Sequence, residues 1–308
     1  MILSSKKGVR MNKKSSLLRS EHIAGYVMIS PIILGFVFLL FLPLLYEVYL
    51  SFTDATLSLQ KPNFIGWQNF KALFTTDKVF RQAGKNTLVY TLGLVPFNII
   101  TALLLACLLN QKYRGVGIFR TLLFMPNITP IVVWAIVWKA ILATDVGVLN
   151  SFLGRFGIEG PAWLYDLKLT MPVVIVNSIM KGVGMNMVIF LSALKSVPDV
   201  YYEASRIDGA SAIQVFRKVT VPLLSPTIFM VFIMTIIGAL KSFSLIYTLT
   251  GGGPARSTML LVNYIFEKGF KQLKFGPAAA ISIILFLIML VFTVIQWVMR
   301  KRLVYAEE

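Results

Sequence analysis

Glu203 to Pro226 reads EASRIDGASAIQVFRKVTVPLLSP, a polar, helix-forming run set between long apolar stretches. Just ahead of it, Ser196-Val197-Pro198-Asp199 has the form of a helix start. Ser196 is the expected cap, Pro198 is tolerated in the first turn, and Asp199 meets unpaired backbone N–H groups. This helix is expected to reach Asp208. Gly209, which accepts a positive φ without a Cβ penalty, should stop it, and Ala210-Ser211 should open a second short helix ending before Pro222.

Ala204, Ser205, Gly209, Ala210 and Ser211 are all small, so a partner can approach the backbone closely, with Glu203 and Asp208 as charged anchors at the rim. The alternative is a solvated loop helix in which Glu203 pairs with Arg206 one turn on.

Outward from this segment the chain is 57% hydrophobic with a mean hydropathy of +0.77 over 308 residues. That is the composition of a polytopic membrane protein, not of a soluble domain. One cysteine, Cys107, and one histidine, His22, leave no disulfide framework, thiol redox pair or His/Cys metal site within one chain. A net charge of +17 would point to nucleic acid in a soluble protein. Here much of it flanks apolar runs and reads as a topology signal, so the expected neighbour is membrane lipid and no nucleic-acid partner is expected.

Residues 1–23 form a basic tail carrying Lys6, Lys7, Arg10, Lys13, Lys14 and Arg19, read as cytoplasmic. The apolar run 24–50 that follows is long enough to span, and no small-x-small cleavage site comes after it. Pro31 and Pro43 are expected to kink it. Residues 51–86 are read as an extracytoplasmic loop whose Phe64-Ile65-Gly66-Trp67-Gln68-Asn69-Phe70 suits either the outer interface or an ordinary packed loop.

Further spans are expected over 87–109, 121–142, 171–194, 224–249 and 278–299. This gives an all-α membrane protein of six transmembrane helices, with a five-helix core over 87–299 and a second tail at 300–308. Met125-Pro126-Asn127-Ile128-Thr129-Pro130 should bend the third span and free carbonyls that need partners. Lys112, Arg114 and Arg120, then Lys195, Arg206, Arg217 and Lys218, then Arg300-Lys301-Arg302 mark the inside segments, placing both termini in the cytoplasm.

The spacing Glu203-Ala204-Ser205, Gly209, Val219-x-Val221-Pro222 resembles the EAA motif of membrane subunits in bacterial ABC importers. The longer run is most similar to the carbohydrate branch, the maltose, lactose, raffinose and glycerol-phosphate permease family. Phe64-x-Gly66-x-x-Asn69-Phe70 and Arg114-Gly115-x-Gly117-x-Phe119-Arg120 also match family patterns. Ser205 and the two valines are mild departures.

The resemblance covers nearly the whole chain and implies a multi-pass permease in the bacterial cytoplasmic membrane. It implies a homologous second membrane subunit, a cytoplasmic ATPase dimer that holds ATP and Mg, and an extracytoplasmic solute-binding protein. By that resemblance the first motif helix is a coupling helix between spans four and five, with Glu203, Ala204, Ser205, Asp208, Gly209 and Ala210 meeting the ATPase. The chain itself is expected to hold no cofactor or metal and to be no enzyme: Gly251 to Thr258 lacks the Gly-Lys-Ser/Thr of a phosphate-cradling loop. The outside loop Gly251 to Pro254 is a candidate contact for the binding protein.

Charges inside spans are expensive, about 2.5–3.5 kcal/mol each at mid-membrane, and so stand as functional candidates. Lys139 lies near a span end and can snorkel, whereas Lys181 and Lys241 are expected deeper. Asn177, Lys181 and Gly184 share one face of span four; Thr235, Gly238 and Ser242 share one on span five. Helix packing explains small residues there equally well. Position by position, the resemblance points to Asn177, Met180, Lys181, Thr235, Gly238 and Ser242 as sugar contacts, with Lys241 adjacent as a further candidate, for an oligosaccharide or, through the lysines, glycerol phosphate.

Two other classes fit poorly. A secondary transporter typically needs buried Asp or Glu, and the span interiors carry none, Glu47 lying at an end. An intramembrane hydrolase needs a Ser/His pair or two membrane aspartates, and His22 is in the tail.

Overall fold

The computed structural model describes residues 25–303, except 59, 60 and 112. The basic tail 1–23, Lys112 and residues 304–308 lie outside the described residues. In chain order the helices are α1 (Gly25–Ser51), α2 (Gln68–Thr75), α3 (Lys78–Leu109), α4 (Val116–Ile128), α5 (Ile131–Ile141), α6 (Val148–Gly154), α7 (Thr170–Ser196), α8 (Asp199–Ile207), α9 (Ala212–Leu223), α10 (Ser225–Leu240), α11 (Ser244–Leu249), α12 (Leu261–Phe266) and α13 (Phe275–Leu303). Among the described residues there is no strand, only the isolated bridges Thr53 to Phe64 and Thr56 to Lys274.

Among the described residues four helices, α1, α3, α7 and α13, are each long and apolar enough to cross a membrane; counting the bent pairs α4–α5 and α9–α10 as one span each brings the number up to six. The expected third span is thus broken, its halves meeting at 102°. Pro130 forces the preceding Thr129 into extended backbone, ψ 131°, and starts α5 afresh. The expected fifth span is not continuous over 224–249 either. α10 stops at Leu240, where the Lys241 and Ser242 N–H groups fold back onto Ile237 and Ala239, and α11 is a separate short helix.

Prolines shape the rest. α1 and α9 each contain a π-helical turn just ahead of a proline, Val37–Phe41 before Pro43 and Phe216–Thr220 before Pro222. A proline ring crowds the carbonyl four residues back and offers no N–H; widening the turn, so that Leu42 N–H reaches Val37 and Val221 N–H reaches Phe216, relieves both. The second motif helix therefore does not end before Pro222 but runs through it to Leu223, then turns 70° into α10. The second expected span begins at Lys78, not at residue 87, because Asp77 accepts the Val79 and Phe80 N–H groups at 3.0 and 2.9 Å and starts the helix there.

Inside a bilayer, close contact substitutes for hydrophobic drive. α3 packs along α7, α4 crosses α7, α10 lies against α3 and α13, and α1 runs along α13. Gly184 belongs to the second of these contacts: a Cβ there would sit 2.2 Å from the Leu123 carbonyl oxygen, so the residue placed on a polar face is a crossing point. The expected loop stretch Phe64 to Phe70 is a packed clasp. Asn69 Nδ2 donates to the Ser51 and Thr53 carbonyls at 2.9 and 2.8 Å, and Phe52 meets the rings of Phe64, Trp67 and Phe70.

Candidate functional site

The motif segment is built as two short helices round a glycine. Ser196 is not the cap: it ends α7, its hydroxyl donating to the Ser192 carbonyl, and Pro198 occupies the cap position of α8 instead. Asp199 in the first turn and Arg206 in the last complement the helix dipole. Gly209 has φ +69° with open space where a Cβ would stand, so its requirement is conformational and not steric. Ser211 and Gln214 then form a reciprocal capping box that starts α9.

Glu203, Ala204, Asp208 and Gly209 are exposed, while Ala210 is half-buried and Ser205 turns its hydroxyl back to the Tyr201 carbonyl at 2.7 Å. Val200, Ala204 and Ile207 share one face, and Ile207 is 86% exposed. Glu203 and Arg206 make no ion pair; those among the described residues are Arg256–Glu267 and Lys268–Asp77.

The candidate path residues sort into committed and open groups. Lys181 donates to the carbonyls of Pro126, Asn127 and Thr129, the last at 2.7 Å, and thereby satisfies the oxygens that the α4–α5 break releases. Asn177 is 2% exposed; its Oδ1 accepts from Trp134 Nε1 at 2.9 Å and its Nδ2 has no partner among the described residues. Met180 and Asn177 border an apolar cavity of about 320 Å³ with Trp138 and Trp163.

Thr235 donates to Val231 and accepts from Asn186 Nδ2, which also reaches Asn98 Oδ1 at 2.6 Å. Tyr90 donates to Ser178 Oγ at 2.9 Å and lies 3.1 Å from Ser242 Oγ. The two sets tie α3, α7 and α10 together. Gly238 is open, and Lys241, expected to be buried, is exposed at the end of α10 because the helix stops there.

The profile of the family described as "Binding-protein-dependent transport system inner membrane component" matches residues 87–305. The chain belongs to that family. Over 292 residues this permease is 36% identical to the probable ABC transporter permease protein YesP of Bacillus subtilis, covering 94% of both chains. It is 35% identical to the lactose transport system permease protein LacF of Rhizobium radiobacter (92% of this chain, 96% of the relative). It is 33% identical to the arabinooligosaccharides transport system permease protein AraP of Halalkalibacterium halodurans (92% and 91%). A chain of the bacterial alginate ABC transporter, solved in complex with an alginate pentasaccharide-bound periplasmic protein, superposes with a TM-score of 0.83. That match covers 94% of this permease and 98% of the solved chain; at 24% identity it establishes the shared fold.

Tyr90, Asn98, Ser178 and Asn186 escaped the sequence reading of the permease. A polar residue in an apolar helix was the available signal, but pairing it needs the packing of three helices. So does the Asp77 network at the other end of the molecule. Asp77 accepts from Tyr264 Oη at 2.5 Å and lies 3.5 Å from Lys268 Nζ. Burial raises the Asp77 carboxyl, but the Tyr264 hydroxyl, the Phe80 N–H and Lys268 outweigh it and hold it below the usual carboxylate range. Burial and that same carboxylate push the Tyr264 hydroxyl upward.

The Thr250 to Pro254 turn stands nearby, closed by a 2.8 Å contact between the Thr250 and Thr258 hydroxyls and by Thr258 donating to the Gly253 carbonyl. Asn86 Nδ2 pins its far side through the Arg256 and Met259 carbonyls.

Proposed function

We propose that this permease is one membrane subunit of an ATP-driven, binding-protein-dependent importer of sugars, with a neutral oligosaccharide as cargo, in a bacterial cytoplasmic membrane. The observation that carries the reading is the exposed, capped helix–glycine–helix at 199–223, which continues directly into α10. The names of the lactose and arabinooligosaccharide relatives support sugar as the cargo class.

In this reading α8 is the coupling helix and both termini are cytoplasmic. A partner ATPase dimer holds ATP and Mg and grips Glu203, Ala204, Ser205, Asp208, Gly209 and Ala210; this chain performs no hydrolysis and carries no cofactor. A homologous second permease completes the path, and an extracytoplasmic binding protein delivers sugar near the Gly251 to Pro254 turn. Closure of the ATPases moves α8, and α9 passes the motion to α10. The Thr235–Asn186–Asn98 and Ser242–Tyr90–Ser178 contacts make α10, α7 and α3 move together, since breaking a hydrogen bond in hydrocarbon leaves groups unpaired.

Asn177, Met180, Lys181, Thr235, Gly238, Lys241 and Ser242 remain the candidate wall of the path, with Gly238, Met180 and Lys241 the members open to a passing ligand. Lys181 is occupied by backbone carbonyls, which favours a neutral cargo over glycerol phosphate. Uptake of a radiolabelled panel by cells with and without the gene tests the proposal. Loss of one neutral sugar supports it; loss of only the phosphorylated compound overturns the neutral cargo, and no loss overturns sugar import.

A further inference from the structure

Beneath α8 lies a cavity of about 620 Å³ bounded by the end of α3, the start of α4 and the end of α7. Among the described residues three cations line it, Arg120 from α4, Lys195 from α7 and Arg206 from α8, against one acid, Asp199, with Tyr113 and Tyr202 also in the lining. None of the three cations is in an ion pair among the described residues. Arg120 is half-buried and donates through Nη2 to the Leu109 carbonyl at 2.6 Å, while its Nε is buried with no acceptor among the described residues. Like charges converging on a polar cavity with a donor left unmet is unfavourable unless an anion fills it. Guanidinium pairs suit a tetrahedral oxyanion, whose several acceptor oxygens can serve all three side chains at once.

We propose that this cavity binds a phosphate group. It lies at the end of α3, the start of α4 and the end of α7, which the proposed topology puts at the cytoplasmic headgroup level, and it shares Asn110, Leu194, Tyr202 and Arg206 with a second cavity of about 410 Å³ whose lining includes Cys107, Val215 and Phe216. A phosphate diester with an apolar body fits that pairing, as basic pockets at the cytoplasmic ends of spans hold anionic lipid headgroups. The bound phosphate joins the span ends to α8, so the ATPase joint is rigid only when the phosphate is present. This consequence rests on reading α8 as the coupling helix; the binding itself does not.

The test uses the full-length chain purified in detergent and stripped of lipid, with phosphatidylglycerol, phosphatidylcholine or inorganic phosphate added and retention read by native mass spectrometry. The expected result is one phosphatidylglycerol retained in preference to phosphatidylcholine, falling about fivefold in each of Lys195→Gln and Arg206→Gln and unchanged in Arg114→Gln, which lies off the cavity. Those two positions are exposed, so their variants keep the test independent of any folding defect in Arg120→Gln. Inorganic phosphate bound with the same variant sensitivity, the two lipids being retained alike, assigns the site to a soluble phosphate and supports the proposal. Retention that neither variant lowers, or no binding of either phosphate source, overturns it. Labelling of Ser211→Cys by an impermeant thiol reagent from outside the cell would instead sink the orientation in the proposed function and leave the binding result standing.

Discussion

Lys181 Nζ donates to the Thr129 carbonyl at 2.7 Å, across the corner where two helices meet at 102°. A charge at this depth is tolerated because the break supplies the oxygens to hold it, and the break is tolerated because the charge is there. Lys181→Met removes the donor from three carbonyls at once. The expected destabilisation is about 1.5–3 kcal/mol, read as a lower melting temperature in detergent, with uptake of every cargo reduced together. Lys181→Arg should recover part of it. Selective loss of one cargo at unchanged stability would mean that Lys181 touches substrate instead.

Gly209→Leu places a Cβ on backbone at φ +69°, a strain of roughly 1–2 kcal/mol in a segment with no core to absorb it. The expected outcome is loss of ATPase recruitment, or ATP turnover without transport, with the spans still folded. Gly209→Asn should be milder. Normal uptake by the leucine variant would remove α8 from the coupling path.

Tyr90→Phe and Ser242→Ala each delete one side of the contact between α3 and the residues just past the end of α10. Each should lower stability by about 1 kcal/mol, and the double variant by less than the two together, because they share one hydrogen bond. Strict additivity in a thermal double-mutant cycle would show that the contact carries no coupling.

Asp77 titrates below its ordinary range in the folded chain, so its contribution is present above the unfolded value and is lost as pH falls through the folded one. The melting temperature should therefore drop on acidification below about pH 4, and the drop should shrink in Asp77→Asn, which keeps the helix cap but not the charge facing Lys268. An identical acid profile in both proteins would rule Asp77 out as the titrating group.

The motif helix, its glycine stop and the apolar runs were legible in the sequence because each is a local matter: a cap, a φ preference, a length. Breaks were harder. Pro126 and Pro130 announced a bend but not its angle, and nothing in 224–249 announced that the helix stops at Leu240, where the Lys241 and Ser242 N–H groups turn back onto Ile237 and Ala239. Lys241 is consequently exposed and not buried within a span. Thr235 and Ser242 were picked for their polarity, but what that polarity meets, Asn186 and Tyr90, depends on residues far away in the chain.

The clasp between α1 and α13 sets an order of assembly. Gly276 lets the Thr53 carbonyl approach so closely that a Cβ would fall 2.1 Å from it, the Gly276 N–H bonds Ala55, and Thr56 bridges Lys274. The residues that seat α1 thus leave the ribosome some two hundred positions after it, by the numbering of Thr56 and Lys274. Even with the clasp closed, none of the apolar window of α1 is buried inside the described chain, so the clasp is what seats the helix. Losing the last span would therefore undock the first, and quality control of a truncated chain would see damage at both ends.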